Sequence, residues 1–123
     1  MSIPVALGTL PAVVRDRGPA GYVLTVSDRG SPHVVHAEIE HGASGLVAAV
    51  GAGTARNANQ RPEVTVLYPS RSHDDYSLIV DAVATVISTP DGFRLLLAAT
   101  RAVLHRAVPA PEAAGSVAGE RRC

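Results

Sequence analysis

Apolar runs of strand length, separated by short polar or Gly/Pro-rich breaks, occupy most of the chain. Residues 21–27 include Tyr22, Val23, Leu24, Thr25 and Val26, the aromatic and β-branched types that suit a pleated, half-buried surface. Asp28-Arg29-Gly30-Ser31-Pro32 supplies turn chemistry, and residues 33–40 return the chain, so the pattern predicts a hairpin. Period two in the returning strand puts His33, Val35, Ala37 and Ile39 on a mainly apolar face, and Val34, His36, Glu38 and Glu40 on a wet one. Residues 41–44 turn the chain into a further apolar run at 46–50.

That run feeds a different element. Gly51 and Gly53 loosen the backbone, Thr54 is placed to cap a helix, and Pro62 forces the helix to stop at or before Arg61. The first N–H groups of a helix lack intrahelical partners and carry partial positive charge, so this turn can seat a phosphate or carboxylate, with Arg56 as a bidentate donor beside it. The glycine spacing fits neither a Walker A loop, which ends in Gly-Lys-Ser/Thr, nor the three-glycine dinucleotide fingerprint.

The remaining elements follow the same logic. Residues 4–17, with Leu7, Leu10, Val13 and Val14 at helical spacing, predict a short helix or pair of turns, starting again at Thr9-Leu10-Pro11 and lying as a lid on a sheet. Residues 64–68 form a compact β-branched strand, and 70–75 a polar loop. Residues 76–88 are apolar on both faces, as in a strand covered on one side by a barrel interior and on the other by a helix or a second subunit. Asp81 within it is read as a structural carboxylate bonded to backbone N–H groups or an Arg. After a turn at Thr89-Pro90-Asp91-Gly92, residues 93–107 are ambiguous, because Phe93, Leu96, Leu97, Thr100 and Leu104 also fit one helix face. Five strand signals against one or two short helices predict an antiparallel β domain over 1–109, most economically a small barrel, and 110–123 read as a disordered tail.

Composition removes several function classes. The 123 residues suit one domain, and the formal charge is zero. Every basic residue is Arg, and these are scattered rather than clustered, which argues against nucleic-acid binding through a basic face; one Phe and no Trp leave little surface for stacking bases. No stretch reaches the roughly 18 apolar residues of a membrane span, and the lone Cys123 cannot close an internal disulfide, so a soluble, cytoplasmic protein is expected. His33 and His36 lie three apart on a strand and point to opposite faces, which disfavours a shared metal ion. There is no Gly-x-Ser-x-Gly elbow, and Ser72-His73-Asp74-Asp75 reads as a solvated loop or a ligand rim.

Tyr22-Val-Leu-Thr-Val, the Gly30-Ser-Pro32-His-Val-Val hairpin, Gly51-x-Gly-Thr54-Ala-Arg56-Asn57, Pro62-Glu-Val-Thr-Val and Tyr76-Ser-Leu-Ile-Val-Asp81, in that order, resemble the FMN-binding split-barrel proteins. This is the pyridoxamine-phosphate-oxidase-like group, and the likeness, over residues 5–107, is to its small actinobacterial members, some of which use the deazaflavin F420. The resemblance implies a six-stranded antiparallel split β-barrel that forms a homodimer, with a cofactor in each of two clefts between subunits. It implies that Thr54 and Arg56, in one motif with Asn57, hold the cofactor phosphate, that His33 adds a contact, and that the ring lies against backbone near Val34, Val35, Val50 and Gly51. It also implies that residues 93–107 are mostly strand. The implied function is an oxidoreductase that uses FMN or F420 to pass a hydride to or from a small organic substrate, with no catalytic side chain named. The alternatives are a non-catalytic flavin, F420 or haem carrier or sensor, and a structural dimer with an empty cleft.

Overall fold

The structure, a computed structural model, describes residues 2–42, 45–72 and 75–109. Seven strands are present among the described residues: β1 (Ser2–Val5), β2 (Ala20–Val26), β3 (Pro32–Gly42), β4 (Gly45–Val50), β5 (Glu63–Tyr68), β6 (Ser77–Thr89) and β7 (Gly92–His105). A 3₁₀ turn at Leu7–Thr9 leads into α1 (Leu10–Arg17), and α2 (Ala52–Gln60) joins β4 to β5. The strands run β7-β4-β3-β2-β5-β6, and β6 pairs back onto β7, closing an antiparallel six-stranded barrel. This is the split-barrel architecture expected from the resemblance.

Alternation along the strands fills the interior. Val23 and Thr25 of β2, Ala37 and Ile39 of β3, Leu46 and Ala48 of β4, Val64, Val66 and Tyr68 of β5, Leu78 and Val80 of β6, and Leu95 and Leu97 of β7 are all buried. Leu10 and Val14, one helical turn apart, add the inner stripe of α1 to this core. The β2–β3 connection is a tight turn in which Gly30 donates its N–H to the Ser27 carbonyl at 2.9 Å and takes φ of 81°, a conformation glycine adopts without penalty.

One element differs from expectation, and residues 93–107 are mostly strand, as the resemblance implied. Residues 2–5, the first of which precede the predicted helical segment, form a strand and not a helical turn. β1 lies along the end of β7, from Ser2 opposite His105 to Val5 opposite Ala102, so its conformation is set by a partner a hundred residues away. Helical spacing in 93–107 also has a structural cause. β7 pairs Arg101 with Asp81 but Ala99 with Ala82, so Thr100 is an extra, bulged residue. The bulge switches the inward positions from Leu95 and Leu97 to Ala102, and the broken alternation imitates a helical repeat. Asp81 is half-exposed beside this bulge. It accepts a hydrogen bond from Thr65 Oγ1 at 3.0 Å and faces Arg101 at 3.9 Å, so its partners include the Arg expected of a structural carboxylate.

Among the described residues no helix is long and apolar enough to cross a membrane. The tail expected at 110–123 lies outside the described residues, as do Ala43 and Ser44 of the β3–β4 turn.

Candidate functional site

The barrel opens where β3 and β4 part. They pair only from Ile39 opposite Ala48 to Gly42 opposite Gly45. Beyond that point β3 continues back to Pro32 paired with β2 alone, while β4 runs on to Val50 paired with β7 alone. Two strand edges therefore face each other without a ladder between them. Ile39 donates its N–H to Pro19 on the β2 side, and the β2–β3 register is unbroken, so alternation turns the N–H and C=O groups of Val34, His36 and Glu38 toward the gap. The same alternation on β4 turns those of Ala49 toward it.

Helix α2 starts at the apex of this wedge. Its N-cap is Gly51, in extended conformation, and the first intrahelical bond runs from the Ala55 N–H to the Gly51 carbonyl at 3.0 Å. The N–H groups of Ala52, Gly53 and Thr54 are left without helical partners, and the first turn contains no acidic residue. Thr54 is thus not the cap predicted from the sequence. Two loose glycines let the helix begin earlier, which carries Thr54 into the first turn, where its side chain is buried and makes no capping bond. The helix ends as Pro62 requires, with the Arg61 N–H bonded to the Asn57 carbonyl at 2.8 Å.

Together these elements enclose a groove of about 730 Å³. Ser27 lines it from the β2–β3 turn, His33, Val35 and His36 from β3, Ala49 and Val50 from β4, and Gly51, Gly53, Thr54, Arg56 and Asn57 from α2 and its cap. Seven of the eight residues singled out in the sequence are brought together here. Val34 is not among them: the residue is 57% exposed, with its side chain on the outer face, and only its backbone turns to the gap. His33 and His36 point to opposite faces of β3, yet both line the groove, because the groove follows the strand's free edge and is open to both faces. His36 also packs against the Tyr22 ring, centroid to centroid at 5.1 Å.

No carboxylate lines the groove, whereas Arg56 and two imidazoles do. The nearest acid stands at the rim. Asp28, next to Ser27, accepts from Arg56 Nη2 at 2.7 Å and from Arg61 Nη1 at 2.9 Å. Hydrogen bonds from Arg56 and then Arg61 hold its carboxyl below the usual range, so it is ionised throughout neutral pH. Asp28, Arg61, Ser27 and His36 were not among the cofactor contacts expected from the sequence, and the one local signal for Asp28 is its place in the hairpin turn. On the helix's inner side, Asn57 Nδ2 donates to the buried Thr25 hydroxyl at 3.1 Å.

The other polar clusters lie elsewhere. Of Ser72-His73-Asp74-Asp75, His73 and Asp74 lie outside the described residues. Asp75 pairs with Arg17 and Arg71, and the backbone N–H groups of Tyr76 and Arg71, ahead of those arginines, lower its pKa. This links α1 to the β5–β6 loop and does not touch the groove. Among the described residues there is no cluster of three His, Cys, Asp or Glu able to hold a metal ion.

No family model matches the chain. It is 35% identical to an uncharacterized protein of Mycobacterium bovis and equally to one of Mycobacterium tuberculosis, each match covering 83% of this chain and 80% of the relative. Among solved structures, it resembles a candidate pyridoxamine 5′-phosphate oxidase from Listeria innocua, with a TM-score of 0.68, 13% identity and coverage of 83% and 100% of the two chains. It also resembles a FAD-binding protein from Mesorhizobium loti, with a TM-score of 0.62 and 14% identity over 85% and 99%. The haem storage protein HutZ from Vibrio cholerae gives a TM-score of 0.62 and 17% identity over 76% and 91%.

Proposed function

We propose that this chain, which belongs to one family with the two mycobacterial proteins, binds FMN or F420 in the groove between β3 and β4 and serves there as an oxidoreductase for a small organic substrate. One observation carries this reading: the free edges of two strands, the free N-terminus of a helix and an Arg converge on one groove that no carboxylate lines. The split-barrel fold, shared with a FAD-binding protein and a candidate pyridoxamine 5′-phosphate oxidase, supports a flavin-type ligand.

The residues present fit such a group. A Cβ added at Gly51 or Gly53 would meet no atom within 4 Å, so the backbone leaves open space where a phosphate must come close. The N–H groups of Ala52, Gly53 and Thr54 and the Arg56 guanidinium would hold that phosphate. The edge groups of His36, Val34 and Ala49 would hold the polar rim of the ring, where fixed backbone donors stabilise negative charge without rearranging. Val35 and Val50 would supply apolar contact and keep water from the ring's face. The bound cofactor supplies the hydride chemistry, and the chain supplies position and field.

A second copy of the chain would cover the groove's open side, forming a homodimer in the cytoplasm; Val83 and Ile87 on the outer face of β6 are exposed large apolar residues suited to that contact. A second reading, a carrier of flavin, F420 or haem without turnover, is favoured by the groove's lack of any acid–base side chain besides the imidazoles of His33 and His36. Turnover of bound, reduced cofactor separates the two.

Adding FMN to the ¹⁵N-labelled protein tests the site. Amide shifts concentrated at Val34, His36, Ala49 and residues 52–54 are expected; shifts confined to other surfaces would place the ligand elsewhere.

A further inference from the structure

Arg56 is not idle in the groove: its Nη2 is already engaged, 2.7 Å from Asp28 Oδ2. Asp28 Oδ1 takes Arg61 Nη1 at 2.9 Å, and the Asp28 carbonyl lies 3.4 Å from Arg61 Nη2, so one residue of the β2–β3 turn spans to both arginines of α2 and its C-cap. The Nε and Nη1 donors of Arg56 have no partner among the described residues. No carboxylate lines the groove itself, and Asp28 places a negative charge at its rim.

We propose that Asp28 is a built-in competitor for Arg56, setting the groove's affinity for a phosphate-bearing ligand below what α2 and its arginines would otherwise give. The proposal rests on the anion-binding reading of the groove. Two opposite effects of Asp28 have to be weighed. It orders the Arg56 side chain, which helps binding, and it places a negative charge beside the ligand's phosphate, which hinders binding. The ordering effect is small, because the arginine side chain is 71% exposed and an exposed ion pair contributes little. Asp28, which is itself half-exposed, also occupies one Arg56 donor and repels a phosphate at the groove, and this opposition grows with the ligand's charge whereas the ordering effect does not. Competition therefore wins.

Isothermal titration with FMN at low ionic strength tests this in the wild type, Asp28→Asn and Arg56→Ala. Asp28→Asn is expected to bind FMN about three- to tenfold more tightly, with the gain shrinking as salt is raised. Equal or weaker FMN binding by folded Asp28→Asn, in a wild type whose affinity does depend on Arg56, would overturn the competitor role and leave the site intact. If neither the wild type nor Asp28→Asn binds FMN, the anion-binding reading and the proposal fall together. Asp28→Ser, which keeps a turn-forming side chain, is expected to give the same sign should the Asn variant fold poorly.

Discussion

Asn57 Nδ2 donates to Thr25 Oγ1 at 3.1 Å, joining the groove helix α2 to the interior wall of β2. Thr25 is buried, so this bond satisfies a hydroxyl that water does not reach. Asn57→Ala should destabilise the fold by about 1–2 kcal/mol, because it leaves that hydroxyl unpaired. Adding Thr25→Val should recover most of the loss, since the orphaned group is then gone. Urea denaturation of the two single variants and the double variant gives the comparison, and additive losses would show that the bond does not couple the two elements.

Gly53 separates folding from binding. Its missing Cβ would meet nothing, and glycine in a helix is intrinsically poor, so Gly53→Ala should raise stability by up to about 1 kcal/mol. The added methyl group enters the groove beside the free N–H groups and should weaken FMN binding. A thermal melt and a titration of one preparation check both, and a variant that gains stability at unchanged affinity would move the ligand away from Gly53.

Among the described residues the Tyr68 hydroxyl has no hydrogen-bond partner, although the residue is only 1% exposed in the barrel core. Burial pushes its pKa up from 10.0 to about 12. The folded state therefore keeps its proton where the unfolded chain has lost it. Stability from this group is fully present below pH 10 and is lost as pH rises from 10 to about 12, by roughly 3 kcal/mol. Tyr68→Phe should flatten that alkaline decline and be neutral or stabilising at pH 7, where it removes an unpaired hydroxyl. Denaturation midpoints measured against pH in both proteins provide the check.

The exposed pair Val83 and Ile87 bears on assembly. Val83→Asp should convert the proposed dimer to a monomer, as read by sedimentation. An unchanged dimer would put the interface on another face.

Local chemistry made much of this architecture legible. The β2–β3 hairpin follows from Asp28-Arg29-Gly30-Ser31-Pro32, and the position and end of α2 follow from an apolar run, two glycines and Pro62. The bulge at Thr100 hid the strand character of β7, which only the family resemblance restored, because an extra residue breaks the period by which strands are recognised. β1 was missed because four edge residues take their conformation from β7. The groove's outline was legible in part: the glycines and Arg56 mark a helix start. Its two free edges were not, since they exist only where β4 leaves β3, and the Asp28 bridge joins groups 28 and 33 residues apart with no pattern between them.

The central claim is that Arg56 and the start of α2 hold the phosphate of a flavin-type cofactor. Fluorescence titration of FMN into the wild type and into Arg56→Ala, with F420 run in parallel, tests it most directly. Binding of one of the two cofactors by the wild type is expected, weakened roughly ten- to a hundredfold in Arg56→Ala, as suits the loss of a charge-assisted hydrogen bond. Equal affinities in the two proteins, or no binding of either cofactor by the wild type, would contradict it.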